Sequence, residues 1–472
     1  MKKILLINPG YRYASGKAVQ RFDPPLGLLN IASNISDIAD TVIINSAFED
    51  LPDFGKFDYI GLTVFIGELT TKAEEITLQI KQEYPTLPVI WGGPLPSLFP
   101  NEILKYYHPD IVVRWDGEMT FREIVQGKNL KDIKGITYRN TSGEITQNVG
   151  REAHSLNEYA VPDWKLFGKN HNVKQIPYYT RIHSSRNCPF QCQFCTLQNS
   201  DDPKDRVKWR KRSAAHVIAE IENAGAPVVT FGDDNFLVDR KRAIDILGWM
   251  RNHGIYAEQI IAHANNVTCE MVEAMRGITR TVIYAIESAN PIIRERLKKQ
   301  LKTEHIYDVN KRLYEANITT MHNYIVGWPF EDLDTLKMNV DMQIRLKEIN
   351  PYVRASSYLF MPLPGTPIAE SIPNLPQDFK SYERANFSSG LEFRPWMTEN
   401  QYEFYQEYNE IFTHLFQANN LTVDSHIVDL IEAREEFKWI FGDISRIQKP
   451  KKHNSLYILD DLLDGKRPSF EL

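Results

Sequence analysis

Cysteine is scarce in this chain: there are four in 472 residues, and three of them fall between positions 188 and 195. A secreted disulfide framework spreads an even number of cysteines along the chain. The clustering points instead to metal, and to a reducing, cytoplasmic compartment. Long apolar runs are also missing, and no stretch approaches the ~20 residues of a membrane span. The opening run Ile4-Leu5-Leu6-Ile7 stops at Asn8-Pro9-Gly10, so it is too short for a secretory core and reads as a first strand. A basic excess is lacking too. Lys+Arg total 55 against 61 for Asp+Glu, a net charge of -6, which argues against nucleic acid as a main partner. What is present is ordinary globular composition, 42% apolar and 25% charged. The length suggests about two to four domains.

Strand-like and helix-like segments alternate. In the first 125 residues the strands fall at 3–7, 59–64, 89–91 and 111–113. The helices fall at 26–35, 70–82, 101–107 and 118–125. This predicts a doubly wound parallel sheet, with ligands at the carboxyl ends of its strands. Asn8-Pro9-Gly10, Thr63-Val64, Gly92-Gly93-Pro94 and Asp116-Gly117-Glu118 occupy those ends. A hairpin is expected over 135–146, with its turn at Ser142-Gly143, and a linker over 151–177. A second alternating series starts at 178. Its strands fall at 179–184, 228–231, 258–261, 281–285, 319–326 and 354–360, six β/α units that suggest a partial barrel. Residues 373–472 read as a mainly helical C-terminal domain, with an aromatic stretch from Tyr402 to Phe416.

The spacing Cys188-x-x-x-Cys192-x-x-Cys195 places three thiolates within reach of one iron–sulfur cluster. Such clusters normally take four cysteines, so one iron is left open. S-adenosylmethionine (SAM) can chelate an open iron through its amino and carboxylate groups. Three apolar core thiols would be odd among Asn187, Gln191 and Gln193. Zinc held by the cysteines and His183 would need that histidine to leave a predicted strand. Cys269 stands alone and reads as a structural thiol near a helix start.

With Phe194 before its third cysteine, the motif resembles the radical SAM superfamily signature. Phe231-Gly232-Asp233-Asp234-Asn235-Phe236, Tyr284-Ala285-Ile286-Glu287-Ser288, Tyr324-Ile325-Val326-Gly327-Trp328-Pro329 and Met361-Pro362-Leu363-Pro364-Gly365 resemble its later strand ends. Ala285 stands where that family has glycine. Asp23-Pro24-Pro25-Leu26-Gly27, Trp91-Gly92-Gly93-Pro94 and Asp116-Gly117-Glu118-Met119 resemble cobalamin-binding domains fused to radical SAM cores. There Asp116 replaces a more usual Glu. The loop after the first strand lacks the histidine with which many cobalamin domains ligate cobalt, so the lower-face contact stays open, with Tyr11, Arg12 and Tyr13 as candidates.

The resemblance implies a cobalamin-dependent radical SAM methyltransferase with a [4Fe–4S] cluster, SAM and cobalamin as cofactors. SAM cleavage would yield a carbon radical, and methylcobalamin would supply the methyl group. Cys188, Cys192 and Cys195 would hold the cluster. Phe194, Arg210, Asp233, Asp234, Asn235, Glu287, Ser288 and Asn323 would contact SAM. Arg212 shares the basic stretch with Arg210, and Tyr324 would line the barrel. Asn8, Pro9, Tyr11, Pro24, Thr63, Val64, Gly92, Gly93, Pro94, Asp116, Gly117 and Glu118 would contact cobalamin. The expected partners are a small-molecule or peptide substrate and a one-electron donor of flavodoxin or ferredoxin type. A non-methylating rearrangement or cyclisation with the same cofactors stays open, as does a non-catalytic cobalamin or redox sensor. A methylthiotransferase would need a second cluster, for which only Cys269 remains.

Overall fold

The computed structural model describes residues 1–10, 25–65, 68–168, 180–196, 209–363, 365–372 and 403. The expectations at Tyr11, Arg12, Tyr13, Asp23, Pro24 and Pro364 lie outside the described residues. So do the helical reading of 373–472 and the aromatic stretch it contains, apart from Glu403, which is helical.

The first part of the chain runs β1 (Lys2–Asn8), α1 (Leu26–Ile35), β2 (Ala39–Asn45), β3 (Tyr59–Thr63), α2 (Glu68–Glu83), β4 (Val89–Gly92), α3 (Pro94–Leu98), α4 (Pro100–Tyr107), β5 (Ile111–Val113), α5 (Glu118–Val125), β6 (Ile136–Arg139) and β7 (Ile145–Gln147). Then follow α6 (Lys165–Gly168), β8 (Thr180–Ile182), β9 (Ser185–Arg186), β10 (Arg210–Lys211), α7 (Ala214–Ala224), β11 (Val228–Phe231), α8 (Arg240–Asn252), β12 (Tyr256–Ile261), α9 (Cys269–Met275), β13 (Thr279–Glu287), α10 (Pro291–Arg296), α11 (Thr303–Glu315), β14 (Thr319–Val326), α12 (Leu333–Ile349), β15 (Arg354–Leu359) and α13 (Pro367–Glu370).

The chain divides into two compact units. One comprises Met1–Ile182 with Leu197–Ala226, and the other His183–Thr196 with Pro227–Leu375, as far as these are described. In the first unit the sheet order is β2-β1-β3-β4-β5-β6-β7. The pairs from β2 to β5 are parallel, and β6 and β7 add an antiparallel edge. Ile4, Leu5, Leu6 and Ile7 of β1 are all fully buried. A strand apolar on both faces suits a parallel sheet covered on both sides. Ile4 and Leu6 join a core with Leu29 and Ala32 of α1 and Phe121 and Ile124 of α5. The opposite face takes Trp91, which stacks on Tyr107 of α4 at 5.5 Å and donates its indole N–H to Thr77 Oγ1 of α2 at 2.9 Å. Each of the four β1 side chains contributes about 1.5–3 kcal/mol by burial.

Strand order 2-1-3-4-5 reverses direction between β1 and β3. In doubly wound sheets that switch point opens the ligand crevice at the carboxyl ends. The sequence expectation had no strand at β2. Its polar Asp40 and Thr41 interrupt the apolar pattern that marks the inner strands. The hairpin falls as expected, at β6 and β7.

In the second unit, five consecutive strands β11 to β15 pair in parallel in chain order. β13 carries a register irregularity between Ala285 and Glu287. The segment 209–226, expected with the later series, groups instead with the first unit. Hydrogen bonds tie it there. Ser213 N donates to Asn157 Oδ1 at 2.8 Å, Trp164 N donates to Asn223 Oδ1 at 2.9 Å, and His216 Nε2 meets Tyr159 O at 3.1 Å. Among the described residues no helix is long and apolar enough to cross a membrane.

Candidate functional site

In the second unit the cysteine loop begins at Asn187, a non-glycine residue in the left-handed region (φ 66°). Cys192 is buried and Cys188 and Cys195 are half-buried; none of the four cysteines forms a disulfide. Among the described residues no three His, Cys, Asp or Glu side chains are gathered as a ready ligand set. The thiols thus share one loop without their sulfurs converging. Burial pushes the Cys188 thiol up, against hydrogen bonds from the Phe190 backbone and Asn235. Burial raises Cys192 as well, opposed by the Lys299 ammonium. Both must lose a proton to bind metal, and a buried cation beside them favours that loss. Three thiols on one loop with such a compensating charge are a donor set that fits an iron–sulfur cluster.

Neighbouring elements pin the loop. Gln193 N donates to Leu297 O at 3.0 Å, and Ile368 N donates to Gln193 O at 3.1 Å. Phe190 stacks on His263 with ring centroids 3.9 Å apart, and Phe194 meets Trp328 edge-on at 5.4 Å. Phe194 therefore has a packing partner in the core with Leu297, Phe360 and Ile368.

Asp233, expected to contact SAM, is fully engaged elsewhere. It accepts from Ser184 N at 3.0 Å, from Ser184 Oγ at 2.7 Å, and from Ser185 Oγ. Arg242 braces the same turn, donating to Ser184 O and Oγ at 2.8 Å. The carboxylate holds the backbone that leads into the cysteine loop. Asp234 is exposed as a residue, while its carboxyl group faces inward beside Asp233, and burial and that neighbouring charge raise it. Asn235 is buried and donates to Asn266 Oδ1 at 3.0 Å, while its own Oδ1 has no partner among the described residues.

Glu287 ends β13 at a left-handed φ of 67°. The adjoining register shift marks a bulge, a device that re-aims a side chain at a strand end. Its carboxylate accepts from Lys299 Nζ at 3.0 Å, with both side chains buried. Ser288 is buried and caps the next turn, its Oγ accepting from Asn290 N at 3.2 Å. The Arg294 guanidinium, also buried, donates to Ser288 O, Ala289 O, Leu301 O and Thr303 Oγ1. Asn323 of β14 lies beside Ala285 in register, and its Oδ1 is buried without a partner among the described residues. Tyr324 is fully buried, and burial drives its hydroxyl up. Lys299, His263, Arg242 and Arg294 were not singled out from sequence. They lie outside the motifs, and only their burial reveals them.

In the first unit the expected strand ends do meet. Val64 N donates to Gly92 O at 2.8 Å and Leu95 N to Val64 O at 3.4 Å. Gly93 sits at φ 105°, ψ -175°, and a Cβ there would lie 2.8 Å from Val64 O. Only glycine adopts that region readily. Pro94 opens α3, and Thr63 is half-buried. Gly10 N donates to Ser46 Oγ at 2.9 Å, and Ser46 N donates to Asn8 O at 3.1 Å, so Asn8-Pro9-Gly10 is held against the end of β2. Gly117 caps α5, and Glu118 is buried in its first turn, where a carboxylate also favours the helix dipole.

One pair joins two residues that the sequence assigns to different cofactors. Arg210, expected at SAM, and Asp116, expected at cobalamin, bind each other at 2.7 Å. Tyr159 adds a hydroxyl to Asp116 at 3.4 Å, and Arg210 reaches His154 O at 2.9 Å. Arg210 belongs to the first unit because its charge partner does. Arg212 is likewise committed, buried against Glu220 and His216.

Residues 182–342 match the family model described as Radical SAM superfamily. The chain is 29% identical over 389 residues to a Pyrococcus horikoshii protein named as an uncharacterized methyltransferase, covering 78% of this chain and 82% of that one. Two solved structures share its fold. The methyltransferase TsrM from Kitasatospora setae, with cobalamin and a [4Fe–4S] cluster bound, superposes with a TM-score of 0.61 at 17% identity, over 79% of this chain and 77% of that one. The cobalamin-dependent SAM radical enzyme OxsB, with aqua-cobalamin and SAM bound, gives a TM-score of 0.68 at 15% identity, over 98% of this chain and 75% of that one. The cysteine loop, β11 and β13 all fall inside the matched span, so residues 182–342 carry the likeness to a radical SAM domain.

Proposed function

We propose that this chain is a cobalamin-dependent radical SAM methyltransferase that methylates an unactivated carbon of a small-molecule or peptide substrate. The observation that carries the reading is the likeness to a solved cobalamin- and SAM-bound enzyme across 98% of the chain. A radical SAM core alone would match only part of it. The order of the first sheet adds support, since its β1/β3 switch point gathers Asn8, Pro9, Thr63 and Val64, with Gly92, Gly93 and Pro94 alongside. In this reading residues 1–150 bind cobalamin, with Gly117 and Glu118 at the rim, and 151–177 form a linker. Residues 178–372 build a partial (β/α)6 barrel, and 373–472 form a helical domain.

Cys188, Cys192 and Cys195 would ligate the cluster. Asp234, Asn235, Glu287, Ser288 and Asn323 would bind SAM, and Phe194 would pack beneath it. When bound, the cluster passes one electron to SAM from an external donor, and cobalamin carries the methyl group. The protein's part is positioning. Asp233 and Arg242 fix the entry to the cysteine loop, Arg294 fixes the turn after Glu287, and the close approach of Gly93 to Val64 fixes the strand ends of the first sheet.

Incubation with SAM labelled in its methyl group tests this. A product heavier by the labelled methyl is expected. A changed product without label would replace methyl transfer by a rearrangement. Failure of the purified protein to bind hydroxocobalamin would remove the cobalamin reading.

A further inference from the structure

We propose that Lys299 is a positioning charge that sets the reduction potential of the centre held by Cys188, Cys192 and Cys195. The inference rests on the reading that this loop carries a [4Fe–4S] cluster.

Lysine is almost never buried unless paired, yet Lys299 is only 6% exposed. It lies in the turn between α10 and α11, and that turn is tied to the cysteine loop twice. Gln193 N donates to Leu297 O at 3.0 Å. His263 donates from Nε2 to Lys299 O at 3.1 Å, its Nδ1 accepts from Asn265 N at 3.2 Å, and its ring stacks on Phe190. Phe190 stands between the first two cysteines. The backbone on either side of Lys299 is strained: Lys298 has φ 52° and Gln300 has φ 46°. Its partner Glu287, at φ 67°, is strained as well. Non-glycine residues in this region cost about 1–3 kcal/mol each and persist only where the surroundings impose them. Here the strain serves one result, an ammonium fixed beside the loop and bonded to a single carboxylate at 3.0 Å.

Its charge reaches the thiols. Burial alone would push the ammonium down, but Glu287 and then Cys192, with Cys188 further down the order, hold it up. At Cys192 the Lys299 charge outweighs that of Glu287. When the cluster takes one electron from an external reductant, the centre becomes one unit more negative. A fixed cation nearby stabilises that reduced form and raises the potential.

The test is a redox titration of the reconstituted full-length protein followed by electron paramagnetic resonance, without SAM. Lys299→Met is expected to cut the reduced-to-oxidised ratio at a given potential at least tenfold, about 59 mV for a one-electron couple. Lys299→Arg should titrate close to wild type, and Glu287→Gln should move the opposite way from Lys299→Met. A loaded wild type with Lys299→Met on the same curve overturns this inference alone. If Lys299→Met loads no cluster, Glu287→Gln decides. A rise supports the inference, and an unmoved or lowered midpoint overturns it. Wild-type protein that assembles no cluster removes the underlying reading and this inference with it.

Discussion

At the scale of single residues, Asp233, expected to touch SAM, also holds the backbone that leads into the cysteine loop. Asp233 accepts three hydrogen bonds from Ser184 and Ser185. Replacing it by Asn turns an NH2 donor toward those donors and leaves Arg242 beside an altered turn. Asp233→Asn should cost about 2–4 kcal/mol, read as a lowered denaturant midpoint, and should weaken iron loading. A second prediction concerns His322, fully buried edge-on to Tyr284 at 4.4 Å. Burial pushes it down to about 3. Its folded value lies below the unfolded ~6.5, so the unfolded chain binds the extra proton between these limits. Stability should therefore rise with pH from about 3 to 6.5, by on the order of 5 kcal/mol from this group. His322→Asn should flatten that part of the melting-temperature profile, and an unchanged slope would contradict the assignment.

At the scale of elements, the chain was legible where pattern and burial coincide. β1 is apolar enough to read directly, and the cysteine loop was placed correctly between strands. β2 was missed because its apolar run, Val42-Ile43-Ile44, is short and polar Asp40 and Thr41 precede it. α10 was missed because Pro291–Arg296 is too short to show a periodicity. A basic stretch in sequence does not reveal its counter-charge, and that of Arg210 is Asp116, 94 positions away. Lys299 was invisible because nothing in a run of two lysines says that one of them is buried. Gly93 was expected at cobalamin, and within the chain its backbone closely approaches Val64. Gly93→Ala should destabilise the protein by about 1–3 kcal/mol or more through its backbone conformation and the contact with Val64 O. Chemical denaturation would show this as a loss of the first transition if the two units unfold separately, or as an earlier single transition if they do not.

At the scale of the whole molecule, the chain forms one mixed and one parallel sheet. One offers a switch point at the ends of β1 and β3, and the other carries a cysteine loop beside a buried ion pair. The central claim is that this loop, with only three thiols, carries a cluster whose fourth iron is open. The most direct measurement is iron content and electron paramagnetic resonance of the anaerobically reconstituted chain, wild type against Cys192→Ala. The account predicts about four irons per chain and a reduced-cluster signal that changes when SAM is added, both lost in Cys192→Ala. A full complement of iron with the same spectrum in Cys192→Ala would contradict it.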